Sequence, residues 1–308
     1  MIKSILFALS GSARARRCVT RFGPARRFSR RFVAGETMDD AMAACRALNA
    51  RGLLATLDHL GENVTTESEA TACGGEILTL LDKICDAGVL SHVSIKLTQM
   101  GLAISPKLCE KQVEQILKKA RSNGNFVRID MEGSAYTEPT LQLFYRLRFL
   151  YPNVGTVIQS MLRRSESDAQ KLVQLGAKVR LVKGAYLEPA DIAFPRKRDV
   201  DANYIRLMEM LLSEDAIKRG GYPAIATHDP KMVRHAKRLA KDMNIPRDAF
   251  EFQMLYGIRR DLQDALVKEG FKVRVYVPYG DAWYPYFMRR LAERPANLFF
   301  ILRQIFRV

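Results

Sequence analysis

Apolar runs of strand length alternate with segments of helix length along most of the chain, eight times in all. The runs are rich in valine, leucine, isoleucine and phenylalanine and cover residues 53–60, 93–97, 126–131, 154–159, 178–183, 223–228, 250–254 and 273–277. Strands that alternate with helices predict a parallel sheet, and eight of them predict a closed (β/α)8 barrel. Active sites of such barrels lie at the carboxyl ends of the strands.

Helix start signals support the same alternation independently of hydrophobicity. Thr37–Asp40, Thr66–Glu69 and, more weakly, Ser165–Asp168 have the spacing of a capping pair. Ser105–Pro106 and Asp229–Pro230 combine a capping side chain with proline at the first helical position, where a missing N–H costs nothing. Each signal precedes a predicted helix, so the barrel prediction rests on two kinds of pattern.

Charged side chains alternate with apolar ones inside several predicted strands. Arg128 and Asp130 share one face of the third run, and Arg274 and Tyr276 share one face of the eighth. In the second run, Lys96 lies on a polar face that alternates with the apolar residues. The apolar faces suit packing against helices, so the charged faces are expected to point into the barrel. Buried charges need partners, and we expect Lys96 to pair with Asp130 on the neighbouring strand.

The net charge of +16 is concentrated at the amino terminus, where residues 1–35 hold nine Lys/Arg and no acid. This segment is compatible with a transit peptide, with a basic arm that contacts an anionic membrane, or with a helical extension on the barrel. Nucleic-acid binding is not expected, because no aromatic-basic motif accompanies the charge. The predicted organisation is an N-terminal helical arm at 1–50 and a barrel with a C-terminal helix at 51–308.

Histidine and cysteine spacing gives no indication of a metal site. The four histidines form no HxH or HExxH pattern, and the five cysteines form no CxxC pair. Unpaired cysteines of this kind are typical of a reducing cytoplasm. No apolar window approaches the ~18 residues of a spanning helix, so an integral membrane protein is not expected.

Two motifs indicate anionic ligands. Arg180, Lys183 and Gly184 place two cations and a glycine turn at the end of the fifth run, an arrangement that suits a phosphate-bearing cofactor. The absence of GxGxxG and GxxxxGK[ST] excludes the usual Rossmann and P-loop sites. Near the carboxyl terminus, Glu293 lies one helical turn from both Arg289 and Arg290. These residues form either a fixed pair of guanidinium groups for a substrate carboxylate or simply a charged, exposed helix face.

Seven stretches together resemble the monofunctional bacterial proline dehydrogenases over nearly the whole chain. They read VSIKLTQMGL (93–102), VRIDME (127–132), GTVIQSMLRRS (155–165), VRLVKGAYLEP (179–189), ATHDP (226–230), FEFQMLYGIRRDLQ (250–263) and VRVYVPYGDAWYPYFMRRLAERP (273–295). The resemblance implies a distorted TIM-type barrel with an N-terminal helical extension. It also implies FAD-dependent oxidation of L-proline to Δ1-pyrroline-5-carboxylate by hydride transfer to flavin N5, the first step of proline catabolism.

The resemblance assigns roles residue by residue. The residues expected to contact FAD are Met131, Gln159, Arg180, Lys183, Gly184, Ala185, Thr227 and His228. The residues expected to bind proline are Lys96, Tyr186, Leu255, Tyr276, Arg289, Arg290 and Glu293. Asp130 and Arg180 are the expected catalytic residues, and the ring of Tyr276 favours proline over hydroxyproline.

The resemblance further implies a quinone electron acceptor, a separate pyrroline-5-carboxylate dehydrogenase and a cytoplasmic location, with a peripheral membrane contact as one option. Two other functions remain open on the residues alone. One is a non-flavin (β/α)8 enzyme that acts on a phosphorylated substrate held at Lys183 and Gly184. The other is a basic binding protein in which the barrel is only a scaffold.

Overall fold

The computed structural model describes residues 30–61 and 64–293, with side chains through residue 288. Eight strands form one closed, all-parallel barrel in which each strand pairs with its neighbours in sequence order. The strands are β1 (Leu54–His59), β2 (Ser91–Ile95), β3 (Val127–Ile129), β4 (Val154–Gln159), β5 (Lys178–Val182), β6 (Ala224–Ala226), β7 (Glu251–Leu255) and β8 (Lys272–Tyr279). Each corresponds to one predicted run, and the barrel prediction is confirmed.

Helices separate the strands and cover the barrel. They are α1 (Met38–Asn49), α2 (Glu67–Asp86), α3 (Pro106–Ser122), α4 (Ser134–Leu150), α5 (Ser165–Gln174), α6 (Lys197–Leu211), α7 (Glu214–Lys218), α8 (Pro230–Asp242), α9 (Arg260–Lys268) and α10 (Trp283–Glu293). Within the described part of the chain, no helix is long and apolar enough to cross a membrane.

Four of the five predicted helix caps are present. Thr37–Asp40 and Thr66–Glu69 form reciprocal capping boxes, each satisfying backbone N–H groups that the helix leaves free and contributing about 1 kcal/mol. Ser105 and Asp229 cap α3 and α8, each followed by proline. The prediction for Ser165–Asp168 was wrong, because Ser165 Oγ instead donates to the Leu162 carbonyl and Asp168 accepts hydrogen bonds from Arg164.

The first and last helices depart from a regular barrel. Helix α1 packs against β1 and β8 through Ala41, Cys45 and Leu48, so it covers the outer face where the barrel closes. Helix α10 packs instead with Leu60 and Ile258, in the loops after β1 and β7. The final helix therefore lies near the mouth of the barrel. Of the proposed arm, residues 1–29 lie outside the described residues.

Strand parity places apolar side chains outside and charged ones inside, as predicted. Val273, Val275 and Val277 are fully buried in the main core, whereas Arg274 and Tyr276 alternate with them toward the interior. The interior therefore carries an unusual amount of charge for a buried space. How that charge is partnered differs between the two ends of the barrel.

The lower, amino-terminal end of the interior is filled by arginine side chains. Arg274 Nε donates to Glu251 at 2.9 Å, and its Nη1 donates to the Ala55 carbonyl at 2.8 Å. Arg128 donates to the Thr156 carbonyl at 3.0 Å. Gly155 makes room for Arg128, because a Cβ at this position would lie 2.5 Å from Arg128 Nη1. Burial, reinforced by the charge of Arg180, lowers the pKa of Arg128 to about 9.

Candidate active site

The upper, carboxyl-terminal end of the barrel contains a cavity of about 690 Å³. Every predicted site residue whose side chain the structure describes lines it: Lys96, Asp130, Met131, Gln159, Arg180, Lys183, Gly184, Ala185, Tyr186, Thr227, His228, Leu255 and Tyr276. The strand ends converge there because all eight strands run in the same direction. A cavity of this size falls within the range of ligand sites, about 300–1,000 Å³.

Arg180 on β5 makes three side-chain hydrogen bonds at the cavity floor. Its Nη1 donates to Asp130 Oδ1 at 2.6 Å, its Nε to Gln253 Oε1 at 2.6 Å and its Nη2 to Ser94 Oγ at 3.1 Å. Only 5% of Arg180 and 8% of Asp130 is exposed, so this is a buried ion pair. Three contacts from different strands fix the plane of the guanidinium group beneath the cavity.

Lys96 does not pair with Asp130, and that prediction was wrong. Its Nζ lies 2.6 Å from Oδ1 of Asp58 on β1, which was not among the predicted site residues. The reason is competition, since Arg180 reaches across the barrel and occupies Asp130. Burial raises the pKa of Asp58 even though the adjacent Lys96 favours its ionised form.

Tyr276 connects these two ion pairs. Its hydroxyl donates to Asp130 Oδ2 at 2.7 Å, and its ring centroid lies 5.2 Å from the Arg180 guanidinium carbon. Lys96 Nζ is 3.5 Å from the same hydroxyl. Burial and the nearby carboxylates of Asp130 and Asp58 raise the pKa of Tyr276 well above its usual value of 10. The phenol is therefore a stable hydrogen-bond donor at the cavity floor.

The side wall after β5 and β6 is polar but largely charge-balanced. Lys183 Nζ lies 2.6 Å from Asp201 and 3.3 Å from Asp229. Gly184 has φ +111°, and a Cβ there would approach Met161 Sδ to 2.3 Å, so glycine is required at this turn.

His228 is oriented by the backbone of the next strand. Its Nε2 accepts a hydrogen bond from the Leu255 amide at 2.9 Å. In this arrangement Nε2 carries no proton, because a backbone N–H can only donate. His228 is thus suited to ligand contact through its other edge, and Nε2 is not available as a proton acceptor for a substrate.

The predicted arginine pair lies on α10. The backbone of Arg289, Arg290 and Glu293 is helical, as expected, and the helix begins directly after β8. Tyr286, three residues before Arg289, lines the cavity. The side chains of Arg289, Arg290 and Glu293 lie outside the described residues, so their predicted contacts stay predictions.

Several lining residues were not predicted, notably Asp58, Gln253 and Arg259. Asp58 and Gln253 obey the strand-parity rule that identified Asp130 and Tyr276, and applying it to β1 and β7 would have found them. Arg259 gives no such signal. It adopts φ +50° at the start of α9, a left-handed conformation that is uncommon for a residue other than glycine or asparagine.

The sequence model of one protein family, described as proline dehydrogenase, matches residues 41–303. This match spans all eight strands and the cavity between them. The chain belongs to the proline dehydrogenase family. Membership confirms the predicted family and enzyme class, an oxidoreductase whose family reaction, proline oxidation, is the first step of proline catabolism. A phosphorylated-substrate enzyme and a non-enzymatic scaffold are thereby set aside.

Individual members of the proline dehydrogenase family match over nearly their full length. Proline dehydrogenase 2 of Bacillus subtilis (strain 168) is 44% identical over 273 residues, which cover 89% of this chain and 88% of that protein. Proline dehydrogenase of Deinococcus radiodurans is 43% identical over 278 residues, again covering 89% of this chain and 88% of the relative.

A solved structure shares the fold of this proline dehydrogenase family member. It is proline utilization A from Bdellovibrio bacteriovorus inactivated by N-propargylglycine, with a TM-score of 0.81 and 28% sequence identity. The match covers 87% of this chain but only 32% of that one, so the likeness concerns one part of a much longer protein. Family membership implies a flavin cofactor. The cavity suits one in its size and in its combination of apolar walls with amide, guanidinium and ammonium donors.

Proposed function

We propose that this enzyme oxidises L-proline to Δ1-pyrroline-5-carboxylate with FAD as its cofactor. The observation that carries the proposal is the buried network of Arg180, Asp130 and Tyr276 at the floor of the cavity of about 690 Å³. Bound FAD supplies the hydride acceptor, at N5 of its isoalloxazine ring. The protein residues hold the reactants in place and stabilise developing negative charge.

The proposed FAD contacts come from the loops and strand ends along one side of the cavity. They are Met131, Gln159, Arg180, Lys183, Gly184, Ala185, Thr227 and His228. Gln159 is itself held in place, because its Nε2 donates to the Glu132 carbonyl at 2.9 Å. Arg180 places a guanidinium group beneath the cavity, where it would favour an electron-rich reduced ring.

The proposed proline site lies under α10. Arg289 and Arg290, oriented by Glu293, bind the substrate carboxylate, whereas Lys96, Tyr186, Leu255 and Tyr276 surround the ring. Because the Tyr276 hydroxyl is tied to Asp130, its ring cannot easily move aside. This fixed wall supports the preference for proline over hydroxyproline.

Asp130 acts by orienting its neighbours. Its two oxygens accept hydrogen bonds from Arg180, Ser94 and Tyr276. All three are donors, so the carboxylate is already committed and is poorly placed to take a proton from the substrate amine. We propose that Asp130 contributes to catalysis by holding Arg180 and Tyr276 in their working positions.

We further propose that a membrane quinone reoxidises the flavin and that a separate dehydrogenase consumes the pyrroline product. The basic residues 1–35 and the apolar segment 298–308 would then bring a cytoplasmic enzyme to an anionic membrane surface. Of these, residues 1–29 and 298–308 lie outside the described residues. Retained liposome binding after deletion of 1–35 would contradict the role of the arm.

An anaerobic visible spectrum tests the proposed reaction. Purified enzyme should show a flavin band, the extracted flavin should be FAD, and L-proline should bleach the band. Arg290→Ala should bleach at least 100-fold more slowly at the same proline concentration, because one bidentate carboxylate contact is lost.

Arg146→Ala is the matched control, because Arg146 forms an exposed pair with Glu110 between α3 and α4, away from the cavity lining. A flavin other than FAD, or a band that proline leaves unchanged in the wild type, would contradict the proposal.

A further inference from the structure

Gln253 on β7 is a buried amide with no role in the reaction as proposed above. Only 3% of it is exposed, and it lies between the two ion pairs of the barrel interior. Its Oε1 accepts from Arg180 Nε at 2.6 Å, and its Nε2 donates to Glu251 Oε1. Glu251 in turn accepts from Arg274 at 2.9 Å. One amide thus links Arg180 at the floor of the cavity to the Glu251–Arg274 ion pair at the lower end of the barrel.

The orientation of this amide is fixed by its partners. A guanidinium group can only donate hydrogen bonds, and an ionised carboxylate can only accept them. The amide oxygen must therefore face Arg180, and the amide nitrogen must face Glu251. A rotation of 180° about the terminal bond would place donor against donor and acceptor against acceptor.

The position also requires a neutral side chain. A carboxylate here would face Glu251 at hydrogen-bond distance with no proton between them, and an apolar side chain would leave both Arg180 Nε and a Glu251 oxygen without this partner. Glutamine provides one acceptor upward and one donor downward without adding charge. It holds the Arg180 guanidinium in place and lies between the cavity floor and the negative charge of Glu251.

We propose that Gln253 is a positioning residue for proline oxidation, which fixes the Arg180 guanidinium at the cavity floor and separates it from the Glu251–Arg274 ion pair. The inference rests on the proposed function, since it assigns Gln253 a part in the same reaction. Its effect is exerted through Arg180, and Gln253 itself need not touch either ligand.

Gln253→Glu gives a test that a purely structural residue would not pass. A protonated carboxyl group has one acceptor and one donor, as the amide does, so at low pH it can reproduce both hydrogen bonds. Once ionised, it loses the donor and pulls Arg180 away from Asp130. The charged and titratable groups around this position are Glu251 on β7, Arg274 and Tyr276 on β8, Arg180 on β5, Arg128 on β3, Asp130 directly after β3, His92 on β2 and Tyr222 before β6.

The expected result is a pH-dependent defect. The ratio of kcat/KM for Gln253→Glu to that of the wild type should lie within about threefold of unity at acid pH and fall by about tenfold or more as the introduced carboxyl ionises. Gln253→Leu should be impaired to a similar degree at every pH. Gln112→Leu is the control, because Gln112 is a buried amide on α3 that donates to the Met100 carbonyl outside the cavity lining.

A second readout needs no cofactor. Burial and the adjacent Glu251 raise the pKa of the introduced carboxyl, whereas Arg180 lowers it. Because Arg180 is already paired with Asp130, we expect the first two effects to dominate, so that the stabilising neutral form is lost as pH rises. The melting temperature of Gln253→Glu should therefore fall further below that of the wild type at pH 8 than at pH 5.

A flat kcat/KM ratio across pH, or full activity in a folded Gln253→Leu, would overturn the role of Gln253. The proposed function fails differently, through a wild-type enzyme whose flavin proline does not bleach.

Discussion

The two ends of the barrel interior use the same ion-pair chemistry for different purposes. At the lower end, Glu251 and Arg274 are 2% and 6% exposed, and Arg128 fills the remaining space. At the upper end, Asp130 and Arg180 are almost as buried, yet they border a cavity of about 690 Å³. One pair closes the barrel, and the other is held facing an open space.

The difference lies in what the two guanidinium groups face, and not in how many hydrogen bonds they donate. Arg274 bonds both to a carboxylate and to a main-chain carbonyl, which compensates for part of its desolvation. Arg180 also makes three hydrogen bonds, to Gln253, Asp130 and Ser94, but it lines the cavity, which Arg274 does not. The lower pair thus serves stability, whereas the upper pair holds a cation at the cavity, where we propose that it acts on a bound ligand.

Removing one partner of the lower pair should have the largest effect on folding. Arg274→Met leaves Glu251 buried without its cation, which costs about 3–5 kcal/mol. Urea denaturation should show a correspondingly lower midpoint. A loss below about 1 kcal/mol would contradict a structural role for the lower pair.

Removing the upper cation should chiefly affect the reaction. Arg180→Met is expected to lower kcat/KM by about 100- to 1,000-fold, since a preorganised charge beneath the reacting groups is lost. Its stability should fall less than that of Arg274→Met, because Tyr276 and Ser94 still donate to Asp130. Steady-state kinetics and denaturation measure the two effects. A greater loss of stability in Arg180→Met than in Arg274→Met would contradict this comparison.

Acid should weaken the ion pair at the lower end of the barrel, because it protonates Glu251. Burial alone would raise the pKa of Glu251, but Arg274 and the hydrogen bonds to it hold that pKa below the usual value. The pair therefore stabilises the fold above the unfolded pKa of about 4.3, and this contribution is lost as pH falls through the folded pKa. The stability difference between wild type and Glu251→Gln should be constant from pH 5 to 8 and shrink below about pH 4. A constant difference down to pH 3 would contradict this.

The smallest expected effect concerns a single hydroxyl at the upper end. Tyr276→Phe removes one hydrogen bond to Asp130 and should cost about 1 kcal/mol, or roughly fivefold in kcat/KM. Because the pKa of Tyr276 lies well above 10, the alkaline limb of the wild-type profile should be the same in this variant up to pH 10. An alkaline limb that disappears in Tyr276→Phe would show that the phenol titrates in that range.

Strand parity explains why so much of the site was predictable from sequence. A polar residue at alternate positions of an apolar run must point into the barrel, and the parallel sheet brings such strand ends together, as it does for Asp130, Arg180 and Tyr276. The sequence did not predict partner choice. Lys96 was matched with Asp130 on the adjacent strand, but Arg180 spans the barrel to take Asp130, and Lys96 turns to Asp58.

Side-chain reach across a closed barrel depends on its curvature and stagger, which no local pattern encodes. The left-handed backbone conformation of Arg259 could not be predicted from the sequence for a related reason. It is imposed by the loop that joins β7 to α9, and arginine carries no propensity for it.

The most direct test of a structural lower end and a reactive upper end compares proline-dependent flavin bleaching under rapid mixing in two variants. Glu251→Gln with Arg274→Met neutralises the lower pair while keeping an acceptor for Gln253, and Arg180→Met removes the upper cation. We expect the double variant to bleach within about tenfold of the wild-type rate despite its lower stability, and Arg180→Met to bleach at least 100-fold more slowly. Equal losses in the two folded variants would contradict the division of the barrel interior into a structural end and a reactive end.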